Sequence, residues 1–126
     1  MLVDHNPTVP NRQTAILDNG EDPGPVLAEM AKGLEQAGAD LLVIPCNTAY
    51  AFAASVQEAV NTPLISIIDV TVDAVLQRDS SIGNVGVLAT NGCLQAGVYQ
   101  EALQNRSLTS VLPGQKHGSP ALVAVR

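Results

Sequence analysis

The chain has 126 residues, enough for one modest domain, and 46 % of them are hydrophobic. Aromatic residues make up only 2 %, so a core must be built from aliphatic side chains. Twelve acidic residues against six basic ones give a net charge of −6, which argues against nucleic acids and anionic membranes as partners.

The first third of the chain combines a loop with one helix. Leu2 and Val3 are apolar and fit the end of a short strand. Residues 4–25 contain four prolines and are predicted to form a loop. Residues 26–37 carry apolar side chains at helical spacing, and Gly38 is suited to end that helix.

Strand and helix patterns alternate along the rest of the chain. Continuous apolar runs predict buried strands at residues 41–44, 64–68, 85–88 and 110–112. Helices are predicted between them, at residues 48–60, 69–76 and 94–103. Such runs are typical of parallel strands covered on both faces. The pattern therefore predicts an α/β fold, with a mainly parallel sheet flanked by helices.

Polar residues follow three of the predicted strands. They are Cys46-Asn47-Thr48, then Asp69 with Thr71, and finally Thr90-Asn91-Gly92-Cys93. Ligands of open α/β sheets bind at the carboxyl ends of the strands. These side chains are therefore the candidates for a binding crevice.

Cys46 stands where a strand is expected to stop and a helix to begin. Asn47 and Thr48 are good N-cap residues, so the free N–H groups of the helix should point at the same place. A helix N-terminus attracts carboxylates and lowers the pKa of a neighbouring thiol. The alternative is a buried structural cysteine. Asp69 is interpreted as the N-cap of its own helix.

Cys46 and Cys93 are the only cysteines, and no spacing of Cys or His residues suggests a metal site. Two cysteines do not make a disulfide framework, which favours reduced thiols and a cytoplasmic location. The N-terminus lacks the pattern of a signal peptide, and no apolar run approaches the length of a membrane span.

Four segments together resemble one family. "GADLLVIPCNTAYAF" (38–52) is similar to the first cysteine motif of the aspartate/glutamate racemase superfamily. "VDHNPTVPNRQTAIL" (3–17) resembles the substrate loop of its aspartate racemase branch. "LISIIDVTVDAV" (64–75) and "VGVLATNGC" (85–93) follow in the expected order, and the resemblance runs from about residue 2 to about residue 113.

The resemblance implies a racemase that uses neither cofactor nor metal. One thiolate removes the α-proton of an acidic amino acid, and a second thiol delivers a proton to the opposite face. It also implies two pseudosymmetric α/β lobes and a homo-oligomer. The implied partner is a small amino dicarboxylate, aspartate or glutamate.

Individual residues match the family motifs. Cys46 matches the first catalytic cysteine, and Asn47 and Thr48 match the residues that hold the α-carboxylate. Arg12 matches an arginine that grips a substrate carboxylate, although by itself it would be read as a solvated loop charge. Thr90 matches a residue that lines the crevice, and its alternative role is a cap at the strand end.

The chain is shorter than the resemblance would lead one to expect. Residues 1–84 are interpreted as a first lobe without its glycine-rich first strand, and residues 85–113 as the start of a second lobe. Residues 114–126 are interpreted as a divergent tail. The second cysteine motif of the family is not found, so the fold is expected to be an incomplete version of the two-lobe racemase.

Two positions depart from the family pattern. Gln13 follows Arg12 where many relatives carry Thr, and Cys93 stands where relatives often have Thr. Cys93 is therefore interpreted as a substitute for a crevice-lining Thr, with the role of second base as the alternative. His5 lies in the loop that resembles the substrate loop and is a further candidate for substrate contact.

Two functions compete. The first is an aspartate or glutamate racemase that depends on Cys46. The second is a truncated and catalytically silent remnant that at most binds dicarboxylates. Maleate isomerisation or hydantoin racemisation is a third possibility, but the loop with Arg12 favours an amino dicarboxylate.

Overall fold

A computed structural model describes residues 1–113 of the chain, so the predicted tail, residues 114–126, lies outside the described residues. Two strands, β1 (Asn84–Gly86) and β2 (Thr109–Val111), form a parallel pair. The helices, in chain order, are α1 (Arg12–Leu17), α2 (Gly24–Gln36), a 3₁₀ helix (Asn47–Phe52), α3 (Ala53–Ala59), α4 (Ile67–Arg78), α5 (Asn91–Ala96) and α6 (Val98–Gln104).

Helix α2 confirms the helix that apolar spacing predicted at residues 26–37, although it begins two residues earlier, at Gly24. Pro23 is its N-cap and Pro25 lies in the first turn, where a missing N–H costs nothing. Gly38 has a φ of +87°, a conformation that glycine adopts without strain. The end of the helix is therefore where the sequence predicted it.

Helix α1 corrects the prediction that residues 4–25 form only a loop. The side chain of Asn11 accepts hydrogen bonds from the backbone N–H groups of Gln13 and Thr14, which makes it the N-cap. The helix has only six residues and lies between prolines, so it has no room for an apolar periodicity. Asn11 was the one local signal for it.

The parallel pairing predicted for the apolar runs is present, over shorter lengths. β1 and β2 pair in register, with Val85 opposite Ser110. Leu42 and Leu64 form a further parallel bridge, in which the Ile65 N–H donates to the Leu42 carbonyl at 2.9 Å. The α/β class is therefore confirmed, while the strands predicted at 41–44 and 64–68 are reduced to this single bridge.

One face of these strand segments is open. Leu42 is only 5 % exposed, but its neighbours Leu41 and Val43 are 54 % and 51 % exposed. Val87 is buried in the same way next to an exposed Leu88. Side chains alternate between the faces of a strand, so the helices present in residues 1–113 cover one face only. The prediction of cover on both faces is wrong for this part of the chain.

The buried side chains are aliphatic, as the composition requires. A larger cluster forms between α4, α6 and the β1–β2 pair, with Val72 and Leu103 at its centre. A smaller one lies between α2 and α3, around Ala31 and Val56. The two clusters share Ile44 and Leu64, which lie at the edge of both.

Three predicted helices differ from the observed ones in detail. Residues 48–60 begin as a 3₁₀ helix before continuing as α3, and residues 94–103 are interrupted at Gly97, whose φ is +72°. Helix α4 begins at Ile67, with Ser66 as its N-cap. The hydroxyl of Ser66 accepts a hydrogen bond from the backbone N–H of Asp69 at 3.1 Å, so the prediction that Asp69 is the N-cap is wrong.

Among residues 1–113, none of the helices has the length and hydrophobicity that a membrane span requires. The same residues contain no group of three or more His, Cys, Asp or Glu side chains placed to hold a metal ion.

Candidate active site

Cys46 immediately precedes the 3₁₀ helix and has an extended backbone, with φ at −150°. Asn47 and Thr48 are the first two residues of that helix, so the prediction that they are its N-caps is wrong. The six-residue helix carries no side-chain cap. No side chain of the described residues therefore takes up the N–H groups at the start of this helix.

Cys46 lines a pocket of about 320 Å³ together with Arg12 and His5. We call it the Cys46 pocket. Arg12 Nη1 donates to the carbonyl oxygens of Pro10, at 2.8 Å, and Val9, at 3.4 Å. Within residues 1–113 no carboxylate pairs with this guanidinium. Its remaining N–H groups are therefore the cationic surface that this pocket offers to an anion.

A second pocket, of about 440 Å³, lies against the first two residues of the 3₁₀ helix. Its lining includes Asn47, Thr48, Thr90, Cys93 and Tyr99, and we call it the Cys93 pocket. The structure thus gathers three of the predicted substrate-binding residues in one place. Arg12 and Cys46 line the neighbouring pocket, so the single crevice expected from the sequence is divided in two.

The two pockets meet at consecutive residues, because Cys46 lines one and Asn47 the other. The thiols of Cys46 and Cys93 are also coupled electrostatically, since charge on Cys46 raises the pKa of Cys93.

Cys93 is 2 % exposed, and burial is the main reason why the pKa of its thiol is raised. The hydroxyl of Thr48 works in the opposite direction, because a hydrogen bond to the sulfur stabilises the thiolate. Burial prevails over this hydrogen bond, so Cys93 is protonated at neutral pH.

Tyr99 is a site residue that the sequence analysis did not identify. Its hydroxyl donates to Asn47 Oδ1 at 3.0 Å. Burial raises the pKa of this phenol, as does charge on Cys93, whereas a hydrogen bond with Thr71 lowers it. Tyr99 lies in the middle of a predicted helix, and nothing in the local pattern distinguishes it from a core aromatic.

Gln13 links the predicted substrate loop to both strand-end motifs. Its Nε2 donates to Thr90 Oγ1 at 2.8 Å and to Thr48 Oγ1 at 3.3 Å. Its Oε1 accepts the backbone N–H of Gly92 at 2.8 Å. A Cβ atom on Gly92 would lie 2.5 Å from this oxygen, so the contact requires glycine. From the sequence, Gln13 was notable only because many relatives carry Thr at this position.

Asp69 lies apart from both pockets. Its carboxylate pairs with Arg106 at 2.8 Å. A hydrogen bond from Ser66, followed by the interactions with Arg106, lowers its pKa against the opposing effect of burial. Asp69 therefore contributes to the junction of α4 with the end of α6.

Comparison with known proteins gives a consistent set of relatives. Residues 1–125 match the family model described as Asp/Glu/Hydantoin racemase. A glutamate racemase of Lysinibacillus sphaericus (strain C3-41) is 37 % identical over 87 residues, which are 68 % of this chain and 32 % of that protein. A broad-specificity amino-acid racemase of Bacillus subtilis (strain 168) is 30 % identical over 71 residues, 56 % of this chain and 30 % of that protein.

Solved structures show the same likeness. The aspartate racemase of Picrophilus torridus matches with a TM-score of 0.74 and 28 % identity, over 87 % of this chain and 46 % of that one. An aspartate racemase homologue from Pyrococcus horikoshii OT3 matches with a TM-score of 0.66 and 31 % identity, over 81 % and 46 %. The chain thus spans about a third of the curated relatives and less than half of these solved chains.

Proposed function

Because the chain belongs to the Asp/Glu/hydantoin racemase family, we propose that it acts on the α-carbon of aspartate or glutamate, with Cys46 as the base and without a cofactor. The observation that carries this proposal is the shared pocket of Cys46 and Arg12. It puts a thiol and a cation that fits a carboxylate within reach of one small ligand.

The two pockets suit the two ends of an amino dicarboxylate. Arg12 would bind the side-chain carboxylate in the Cys46 pocket, through the N–H groups that its loop does not use. Asn47, Thr48 and Thr90 would bind the α-carboxylate in the Cys93 pocket. The α-carbon would then lie at the start of the 3₁₀ helix, next to Cys46.

The chemistry follows from this placement. The Cys46 thiolate takes the proton from the α-carbon and becomes a thiol, which leaves a carbanion stabilised by the carboxylate. A proton delivered to the opposite face completes the inversion. Cys93 is the candidate donor within residues 1–113, because burial keeps its thiol protonated and its charge state is coupled to that of Cys46. It would leave this step as a thiolate.

A silent dicarboxylate-binding protein is the second candidate. Cys93 is 2 % exposed, so a substrate atom can reach its sulfur only if the lining of the pocket moves. In that case the residues of both pockets would bind the dicarboxylate without exchanging its α-proton.

The open face of the strands favours a homo-oligomer in either case. Leu41, Val43 and Ile65 are each more than one third exposed on it. Exposed apolar patches of this kind mark interaction surfaces. A mass measurement by light scattering, compared between wild type and Val43→Lys, should show an assembly that the substitution weakens.

Proton exchange at the α-carbon tests the reaction directly. L- and D-aspartate are incubated in deuterated buffer with wild type, Cys46→Ala and Cys93→Ala, and followed by NMR. Exchange that is lost in Cys46→Ala supports Cys46 as the base, and inversion that also needs Cys93 supports it as the donor. Wild-type exchange no faster than that of Cys46→Ala would reject the racemase and leave the binding protein.

A further inference from the structure

The side-chain amide of Gln13 has a forced orientation. The backbone N–H of Gly92 can only donate, so the atom that faces it at 2.8 Å must be the oxygen of the amide. The nitrogen then faces Thr48 and Thr90, and each of its two hydrogens has one hydroxyl oxygen to donate to. All of the donors of this amide are used inside the protein.

This orientation decides which way the two hydroxyl protons point. A hydroxyl that accepts from Gln13 retains its own proton to donate elsewhere. Thr90 Oγ1 also accepts the backbone N–H of Cys93, at 3.5 Å, so both of its lone pairs are occupied. The proton of Thr90 is left to point into the Cys93 pocket, which this residue lines.

The hydroxyl of Thr48 is also an acceptor towards Gln13 and a donor on its other side. Thr48 is 7 % exposed, lines the same pocket and accepts from Gln13, so it also keeps its own proton to donate. The two hydroxyls therefore present hydrogen-bond donors rather than acceptors to the space between them. An anion accepts hydrogen bonds from such donors, whereas an ammonium group has no lone pair and cannot accept them.

We propose that Gln13 is a positioning residue that makes the Cys93 pocket selective for a carboxylate, by holding the Thr48 and Thr90 hydroxyls as donors into it. This inference rests on the proposed function, because it specifies the α-carboxylate end of the substrate. Gln13 itself is not needed in contact with the substrate, since its donors are already used.

Gln13→Glu is the sharpest test. The introduced carboxylate still accepts the N–H of Gly92, but it takes protons from the two hydroxyls instead of donating to them. The hydroxyl oxygens then face the pocket as acceptors. The matched control is Gln104→Glu, which makes the same change of charge at an exposed position near the end of α6.

The measurement is an NMR titration with succinate and with 1,4-diaminobutane, in a Cys46→Ala background in which Cys46 chemistry is absent. We expect Gln104→Glu to bind succinate in preference to the diamine. Gln13→Glu should bind succinate about tenfold or more weakly and reverse the preference, which a merely structural loss would not do. Gln13→Met removes the amide that holds the hydroxyls and adds no charge. Its affinity for succinate should lie between those of Gln13→Glu and Gln104→Glu.

Equal succinate binding by Gln13→Glu and Gln104→Glu would overturn the inference, as would a control protein that does not prefer succinate. The proposed racemase reaction is rejected by a different result from the one that rejects the role of Gln13. A protein that shows this preference and its reversal, but no exchange dependent on Cys46, would retain the role of Gln13 and reject the racemase.

Discussion

The hydroxyl of Tyr99 donates a hydrogen bond of 3.0 Å to Oδ1 of Asn47, the residue that follows Cys46. This bond ties α6 to the start of the 3₁₀ helix, across 52 positions of sequence. It leaves the amide nitrogen of Asn47 as the group free to meet a carboxylate. The orientation of a predicted substrate-binding residue thus depends on a residue from another helix.

We expect Tyr99→Phe to reduce both stability and α-proton exchange. Loss of the hydrogen bond should lower the free energy of unfolding by about 1 kcal/mol and, by freeing Asn47, slow exchange roughly two- to tenfold. Tyr50→Phe is the matched control, because the Tyr50 hydroxyl donates to the Ile65 carbonyl at 2.8 Å. It should lose similar stability in urea unfolding and retain exchange. Equal losses of exchange in both variants would contradict the role of Tyr99.

We expect Gly92→Ala to destabilise the protein by about 1 to 3 kcal/mol, because the new methyl group would lie 2.5 Å from Gln13 Oε1. Gly33→Ala in α2 is the control, since nothing lies within 4 Å of its Cβ position. It should stabilise by about 0.5 to 1 kcal/mol, the usual gain within a helix. Thermal unfolding of Gly92→Ala, Gln13→Ala and the double variant provides the check. Additive losses would show that the two residues do not interact.

The raised pKa of Cys93 predicts a loss of stability at alkaline pH. The unfolded thiol ionises near its usual 9.0, while the folded one stays protonated, so the unfolded state binds fewer protons above that pH. The contribution of Cys93 is therefore complete below the usual pKa and falls as pH rises towards the raised value. Urea unfolding from about pH 7 to about pH 10 should show a steeper decline for wild type than for Cys93→Ser. Parallel curves would contradict the buried thiol.

The lowered pKa of Asp69 predicts the opposite dependence at acid pH. Its stabilising contribution is present above the usual value of 3.8 and is lost as pH falls through the lower folded value. The side chain is 49 % exposed, so Asp69→Asn should cost only about 0.5 kcal/mol at neutral pH. The difference from wild type should disappear in strong acid. A difference between Asp69→Asn and wild type that persists unchanged in strong acid would contradict the ion pair with Arg106.

Most of the helices could be predicted from local pattern alone. Helix α2 begins within two residues of the predicted start and ends at Gln36, two residues before Gly38, because apolar spacing and glycine act over a few residues. Helix α1 was missed, since six residues between prolines leave no periodicity to read. The caps of the 3₁₀ helix and α4 were misassigned by one to three positions, where several polar residues in a row could each have served.

The α/β class, the aliphatic core and the motif around Cys46 could all be predicted before the fold was known, because composition and short-range spacing encode them. Which side chains meet depends on how the helices pack. The packing of α1 against α5 brings Gln13 to Thr48, Thr90 and Gly92, and that of α6 brings Tyr99 to Asn47. Such contacts join residues far apart in the chain, and their hydrogen bonds depend on distances that no local pattern records. For the same reason, the division into two pockets could not be read from the sequence.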